Sequence, residues 1–269
     1  MKKLFAFTLA AFAMMAVGCT KDDNPKSGEG SGFSVVGNWS LYQENDFSTL
    51  VLAADSHYEM TTGNYYKEEG TYVYSTTLTL TPVRAWENDS VWQEVEPRET
   101  EYTWPVKMLY DGDVMMLKMR DEYDESHEVW APYVKDSATC VSNVNDIQGK
   151  WYWMMGEEHP VARVIVNVNG TTGDVIITPW GERYTGTIRY EKGIIYMDNP
   201  TFTTTRYEDG EGGWEHMNDA DPENSPWRTP FGENPNHGAY EGGLSFTFVA
   251  DGNMAYGGIA NLLATFQKQ

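Results

Sequence analysis

The sequence predicts an all-β chain made of two tandem, small, antiparallel meander β-barrels, and three observations lead to this prediction. Apolar and polar residues alternate with period two in segments such as 77–81 and 244–248, as in strands that bury one face. Asp-Gly and Asn-Gly pairs, which favour tight hairpin turns, stand between such segments. A set of landmarks also occurs twice in the same order. A pair of β-sandwiches is the alternative, because an alternating meander can close into a barrel or fold into two sheets.

Residues 1–18 have the pattern of an export signal. Lys2 and Lys3 precede an uncharged apolar run that is too short to span a bilayer as a stable helix. The run ends in Ala-Val-Gly-Cys at 16–19, which resembles the lipobox of bacterial lipoproteins, although alanine stands where that family most often has leucine. The resemblance implies cleavage before Cys19 and a lipid anchor on that cysteine. The alternative is an ordinary secretory signal followed by an incidental cysteine.

Residues 19–33 are polar and rich in glycine and serine, which predicts a flexible tether. The Lys-Asp-Asp cluster at 21–23 resembles the surface-export signal of Bacteroidetes lipoproteins. It implies an outer-membrane lipoprotein that faces the outside of the cell. The alternative for this cluster is an acidic linker that keeps the tether solvated.

The two copies are predicted to occupy residues 34–137 and 146–269, with a linker at 138–145. Each copy opens with the pattern apolar-x-Gly-x-Trp. The pattern ends at Trp39 in the first copy and at Trp151 in the second. Further landmarks follow in the same order in both copies: Gly-Thr at 70–71 and 186–187, Asp-Gly at 111–112 and 251–252, and Ala-x-aromatic-x-Lys at 131–135 and 264–268. Because several landmarks keep one order, the sequence indicates a duplication.

A Gly-x-Trp opening followed by a meander of short strands resembles the small lipocalin-like domains of Bacteroidetes lipoproteins. The resemblance covers both copies. It implies that Trp39 and Trp151 lie on the first strand of each barrel and plug one end, which places them in the core and removes them as ligand candidates.

Charge and cysteine content narrow the range of partners. The chain carries a formal net charge of −21, and loss of Lys2 and Lys3 with the signal would make it more negative. Such a surface repels nucleic acid and anionic lipid, so a neutral ligand such as a glycan, or a cationic partner, fits better.

Besides Cys19 the chain has only one cysteine, Cys140, which we predict to be a small buried residue or a linker residue. Acylation of Cys19 would leave it without an intramolecular disulfide partner.

Motifs for catalysis and cofactors are absent from the sequence. It has no zinc-protease, Cys-x-x-Cys, phosphate-loop or Gly-x-Ser-x-Gly pattern, and its five histidines lack ligand spacing. We therefore predict that the protein is not an enzyme and uses no cofactor. Asp219, Asp221 and Glu223 form a weak calcium candidate, because their oxygens suit calcium but the glycine and distal glutamate of an EF-hand loop are missing. The alternative is a solvated acidic loop.

Aromatic residues outside the alternating segments are the main candidates for ligand binding. The second copy has a long insertion at 207–243, and loops of this length in compact domains are usually functional or disordered. Flat aromatic faces suit stacking on sugar rings or apolar ligands. The predicted ligand-binding residues are Trp86 and Trp92 in the first copy and Trp180, Trp214, Trp227 and Phe231 in the second. Trp104 stands in a similar context. The alternative is that these rings cover barrel ends or pack under loops.

Two triplets, at 89–91 and 136–138, resemble the Asp-Ser/Thr-apolar acceptor of Bacteroidetes O-glycosylation, which implies that Ser90 and Ser137 are modified.

Taken together, the features of the sequence predict a lipid-anchored outer-membrane protein with a non-catalytic binding role, for a glycan or a small apolar ligand. Two alternatives remain. One is an accessory subunit that docks a membrane protein partner through its acidic surface, and the other is a carbohydrate-active hydrolase.

Overall fold

We analysed a computed structural model of the chain. It describes residues 33–43, 46–88, 91–95, 102–120, 128–155, 159–169, 172–178, 182–204, 238–239, 244–259 and 262–269. Within these ranges only the backbone is described at 46, 155, 159–165, 167–169, 172–178, 182–186, 198–204, 238–239, 259 and 262. No helix in the described part of the chain has the length and apolarity needed to cross a membrane.

The first nine strands form one closed barrel, barrel 1. They are β1 (Gly37–Gln43), β2 (Asp46–Leu52), β3 (His57–Thr62), β4 (Tyr66–Tyr74), β5 (Thr77–Glu87), β6 (Gln93–Glu94), β7 (Tyr102–Leu109), β8 (Val114–Arg120) and β9 (Glu128–Lys135). A 3-10 turn, Tyr110–Gly112, joins β7 to β8. The strand order is β4-β3-β2-β1-β9-β8-β7-β5-β6, and β4 also pairs with β5, which closes eight of the strands into a ring. Neighbouring strands are antiparallel throughout.

Nine further strands repeat this plan as barrel 2. A short helix, α1 (Val144–Ile147), precedes them. They are β10 (Gly149–Met155), β11 (His159–Asn169), β12 (Thr172–Thr178), β13 (Glu182–Glu191), β14 (Ile194–Thr204), β15 (Gly238–Ala239), β16 (Leu244–Asp251), β17 (Met254–Ile259) and β18 (Leu262–Lys268). Their order, β13-β12-β11-β10-β18-β17-β16-β14-β15 with closure between β13 and β14, matches that of barrel 1 strand for strand. The predicted all-β fold of antiparallel meander barrels is confirmed. The sandwich alternative is wrong, because the two ends of each sheet pair with each other.

Equivalent tryptophans plug one end of each barrel. Trp39 and Trp151 are fully buried, and each indole Nε1 donates a hydrogen bond to the carbonyl oxygen four residues earlier, at 2.8 Å and 2.7 Å. The last strand pairs Lys135 with Trp39 and Lys268 with Trp151, and each ammonium lies 5.1 Å from the centroid of its indole ring. The expected core position of both tryptophans is confirmed.

The bulge at Gly70 shows why glycine stands at this landmark. A Cβ atom built on Gly70 would lie 2.1 Å from the carbonyl oxygen of Thr81 on β5. The pairing of β4 with β5 shifts register between Glu69 and Gly70, and the pairing of β13 with β14 shifts between Thr185 and Thr187. A bulge bends its strand and increases the local twist. In barrel 1 it lies close to the point where β5 runs past the end of its pairing with β7.

The two barrel interiors are packed with different side chains. In barrel 2 the ring of Phe248 contacts those of Trp151 and Phe266, with centroids 5.6 Å and 5.0 Å apart, and Trp153 lies 6.0 Å from Phe266. Barrel 1 is filled mainly by leucine, methionine and tyrosine side chains. We conclude that both interiors are packed cores around the tryptophan ends.

The outer faces of the barrels meet in a third apolar cluster. Val134 of β9 and Val249 of β16 are buried in it, together with apolar residues of β8 and β17. At its edge the amide of Tyr42 donates to the Thr247 hydroxyl at 2.9 Å, and Lys107 pairs with Asp251 at 2.9 Å. The barrels therefore pack side against side through an apolar joint.

Candidate ligand-binding sites

Of the site residues predicted from sequence, the structure describes Trp86, Trp92 and Ser137. The others lie outside the described residues, and the structure does not test them: Cys19, Ser90, Trp180, Trp214, Trp227, Phe231, and the calcium candidates Asp219, Asp221 and Glu223. Within the described part of the chain, no group of three or more His, Cys, Asp or Glu side chains could hold a metal ion.

Trp86 and Trp92 lie on a projection of barrel 1 that we call the lip, made of residues 65–69, 83–88 and 91–95. The long strand β5 pairs with β7 only through residues 77–80. Its far end pairs instead with β4 on one side and with the short β6 on the other. In the lip, therefore, β5 and β6 extend past β7, while the β4 residues remain paired with β3 in the barrel wall.

Cations and aromatic rings alternate along the outer face of the lip. Trp86 is paired with Lys67 across the strands, and the ammonium lies 5.3 Å from the indole centroid. Two residues earlier on the same face, Arg84 hydrogen-bonds to Glu69 and its guanidinium carbon lies 4.8 Å from the ring centroid of Trp92. Residues i and i+2 of a strand lie roughly 7 Å apart. Two indoles therefore flank one guanidinium that a carboxylate holds in place.

The lip is also where apolar side chains are most exposed. The chain has six exposed large hydrophobic residues in its described part, and Tyr65, Val83, Val91 and Trp92 lie on or beside the lip. Trp92 is 39% exposed and Val91 is 82% exposed. Contiguous exposed apolar surface on a folded protein commonly marks an interaction site. Trp86 is half-buried and Trp92 is exposed, and whether they bind a ligand stays a prediction.

Directly behind the lip, a carboxylate is buried inside barrel 1. Glu68 lies between two outward residues of β4, so strand alternation turns it inward, and only 2% of it is exposed. The phenol of Tyr58 donates a hydrogen bond to its Oε1 atom at 2.5 Å, and the phenol of Tyr66 donates to its Oε2 atom at 2.5 Å. We call these three residues, together with Tyr102, the Glu68 cluster.

Tyr102 and Trp104 stand at the mouth of barrel 1, which is the end away from Trp39. Both are inward positions of β7, both are half-buried, and their rings stack with centroids 5.5 Å apart and planes 18° apart. The Tyr102 phenol also hydrogen-bonds to Tyr66. Trp104, which the sequence left among possible exposed rings, therefore faces the interior.

The tyrosines of the Glu68 cluster stay protonated hydrogen-bond donors. Burial raises the pKa of Tyr58 and of Tyr66 far above the usual phenol value, and the hydrogen bond of each phenol to Glu68 adds to the shift. Burial also raises the pKa of Tyr102, with the nearby charge of Glu68 as the second cause. The cluster therefore keeps its donors at any physiological pH.

Glu68 has no cationic partner among the described residues. The ion pairs formed in this part of the chain join other carboxylates to lysine, arginine or histidine. A carboxylate taken out of water is stabilised fully only when a positive charge or several hydrogen bonds replace its hydration. Two phenol donors occupy about half of its acceptor positions.

Barrel 2 shows that the fold does not require the Glu68 cluster. When Gly186 is aligned with Gly70 through the strand pairings, Tyr58 corresponds to Gly173, Glu68 to Tyr184, Tyr66 to Glu182, and Tyr102 to Leu244. No donor–carboxylate–donor arrangement of this kind is encoded at these positions. The cluster is therefore a property of the first copy, and sequence analysis missed it because the Lys-Glu-Glu run at 67–69 looks like an exposed strand.

A shallow cavity of about 380 Å³ lies at the opposite end of barrel 1, beside Trp39. Ser34, Val36, Ser56 and Val73 line it together with Tyr72 and Tyr74. Its wall carries no charged side chain, and it is open to solvent.

The linker between the barrels is held to barrel 1. The amides of Thr139 and Cys140 donate to one carboxylate oxygen of Asp113 at 2.8 Å and 3.0 Å. Cys140 is half-buried. Ser137, the predicted glycosylation site, is exposed at the start of this segment.

No protein-family model matches the sequence, and no curated protein matches it.

Proposed function

We propose that this protein is a lipid-anchored, surface-facing outer-membrane lipoprotein with a non-catalytic binding role, and that it binds glycans on the outer face of the lip. The observation that carries the proposal is the arrangement of Trp86 and Trp92 around Arg84 on an exposed surface.

A sugar ring has an apolar face of C–H groups and a rim of hydroxyls. Indole faces match the first, and a guanidinium paired with a carboxylate offers donors and acceptors for the second. Arg84 is already held by Glu69, and hydrogen bonding to Glu69 raises its pKa, so this group binds as a fixed cation. Because it is held before the ligand arrives, less side-chain entropy is lost on binding. The net charge of −21 disfavours polyanionic ligands.

The anchor part of the proposal rests on the lipobox-like sequence ending at Cys19. The chain has two cysteines, and a thioether to diacylglycerol on Cys19 cannot coexist with a disulfide through the same sulfur. The disulfide state of Cys140 therefore bears directly on the anchor. Intact-mass measurement of protein from host membranes separates the two states. A chain that starts at Cys19 and carries acyl groups is expected. An unacylated chain that lacks two hydrogens through a Cys19–Cys140 disulfide would contradict the anchor.

A glycan array followed by titration calorimetry tests the binding site. Trp86→Ala and Trp92→Ala should each weaken binding of an array hit by at least about fivefold, since aromatic stacking contributes on the order of 1 kcal/mol or more. Val73→Ala is the matched control, because Val73 is 71% exposed at the opposite end of the same barrel. Absence of any array hit, or equal affinity of all variants, would refute the proposed site.

A further inference from the structure

We propose that the mouth of barrel 1 is a second binding site, separate from the lip, and that it takes a compact organic cation such as a primary or quaternary ammonium. The inference starts from the Glu68 cluster, in which a buried carboxylate pairs with no cationic side chain of the described residues, and from the half-buried rings of Tyr102 and Trp104.

The hydrogen-bond directions leave acceptors that face the mouth. Tyr66 spends its only phenol hydrogen on Glu68, and its oxygen also meets the Tyr102 phenol, so one further acceptor position remains there for a donor that arrives from outside. An ammonium N–H group is such a donor. For a quaternary ammonium, which has no N–H, the stacked rings of Tyr102 and Trp104 provide the attractive faces.

The lining of the mouth favours an organic cation over a metal ion. Met60, Met119, Tyr102 and Trp104 are all partly buried against the core of barrel 1, so thioethers and rings are available there beside the carboxylate. Calcium takes six to eight oxygen ligands, and magnesium requires an octahedron of them. One carboxylate that is already hydrogen-bonded by two phenols does not supply such a set. An ammonium with apolar substituents needs only one charge and apolar contacts.

Barrel 2 provides an internal comparison. Its equivalent positions carry Gly173, Tyr184 and Leu244 in place of Tyr58, Glu68 and Tyr102, and Leu244 lies in a core of aliphatic and aromatic side chains. A purely structural role for the cluster would not explain why one copy of the same fold has a carboxylate at the position of Glu68 and the other has Tyr184 there. A ligand specific to barrel 1 does explain it.

Titration calorimetry with choline and butylammonium as probes, and with 3,3-dimethylbutan-1-ol as the neutral isostere of choline, tests the inference on the full chain. At least one of the two cations should bind, and choline should bind at least about tenfold more tightly than its isostere, because a buried carboxylate a few ångströms away acts through a low effective dielectric. Glu68→Gln keeps the side-chain shape and should remove this preference. Equal binding of choline and its isostere, or binding of neither cation to the folded wild-type chain, would overturn the proposal.

A second variant covers the case in which Glu68→Gln does not fold. Tyr102→Leu copies the residue that barrel 2 has at the equivalent position, so the fold is known to accept it there. It should weaken cation binding at least about fivefold while the glycan affinity of the lip stays unchanged. Trp92→Ala should do the reverse, so failure of one site is distinguishable from failure of the other. Unchanged cation binding in Tyr102→Leu would count against the mouth as the site.

Discussion

Removing one phenol from the Glu68 cluster tests the account of the barrel interior. Tyr58 is buried, and its only polar atom donates to Glu68 at 2.5 Å. Tyr58→Phe keeps the ring and its packing, so the change is confined to one hydrogen bond. Hydrogen bonds to charged groups contribute about 1.5 to 3 kcal/mol. The substitution also leaves one oxygen of a buried carboxylate without its donor. We therefore expect the free energy of unfolding to fall by about 2 to 3 kcal/mol.

Urea unfolding followed by tryptophan fluorescence measures this loss, and a double-mutant cycle with Glu68→Gln isolates the pairwise term. In the Glu68→Gln background Tyr58→Phe should cost less than half as much, because the acceptor is then neutral. Tyr66→Phe is the comparison variant. Its phenol makes the same bond from a half-buried position, so its cost should be smaller. A loss below about 0.5 kcal/mol for Tyr58→Phe, or full additivity in the cycle, would refute a charged hydrogen bond at this place.

Three further predictions concern the rest of the fold. Burial raises the pKa of Tyr133 to about 12. The unfolded chain therefore loses this proton at a lower pH than the folded chain, and the free energy of unfolding should fall by up to about 3 kcal/mol as pH rises from about 10 towards about 12. Unfolding at stepped pH, with tyrosinate absorbance, measures this fall. In the joint, Val249→Ala should lower the free energy of unfolding by about 2 kcal/mol, because it removes buried methyl groups. Lys107→Ala should lower it by less than about 1 kcal/mol, because it removes a partly exposed ion pair. Thermal unfolding of both variants measures the two losses, and the reverse order would contradict this prediction. Gly70→Ala should lower the free energy of unfolding by more than about 2 kcal/mol, since its Cβ would overlap a carbonyl oxygen of the neighbouring strand. Gly252→Ala has open space around it and should lower it by about 1 kcal/mol for its positive φ alone. Equal losses in urea unfolding would contradict the close approach of Gly70 to β5.

The sequence predicted the parts of the fold that repeat. The Gly-x-Trp pattern placed Trp39 and Trp151 correctly because a fully buried indole needs the same neighbours in both copies: a carbonyl oxygen four residues earlier and a closing lysine. Alternation in segments such as 77–81 was sufficient to assign strands, since one face of each barrel wall is buried.

Cross-strand register was not readable from the sequence, and the two candidate sites depend on it. Trp86 could be expected near the surface, but its pairing with Lys67, and the placement of Arg84 beside Trp92, follow from how β4 meets β5 and β6. Glu68 stands in a run of charged residues, and only the strand alternation seen in the structure shows that it points inward.

The joint between the barrels had a signal that the sequence analysis did not use. Residues 114–117 are four apolar residues in a row, which breaks the alternation of a strand with one wet face. A continuous apolar run is typical of a strand that is buried on both faces. In the structure Met115 and Leu117 face the interior of barrel 1, and Val114 and Met116 pack in the joint.

The central claim, that the outer face of the lip binds a glycan, is tested most directly by NMR of the tryptophan indole N–H groups. The signals are assigned by single Trp→Phe variants and followed during titration with a glycan that binds. We predict that the signals of Trp86 and Trp92 shift with the binding isotherm, while those of the buried Trp39 and Trp151 stay in place. Saturable binding with no shift at Trp86 or Trp92 would contradict the claim.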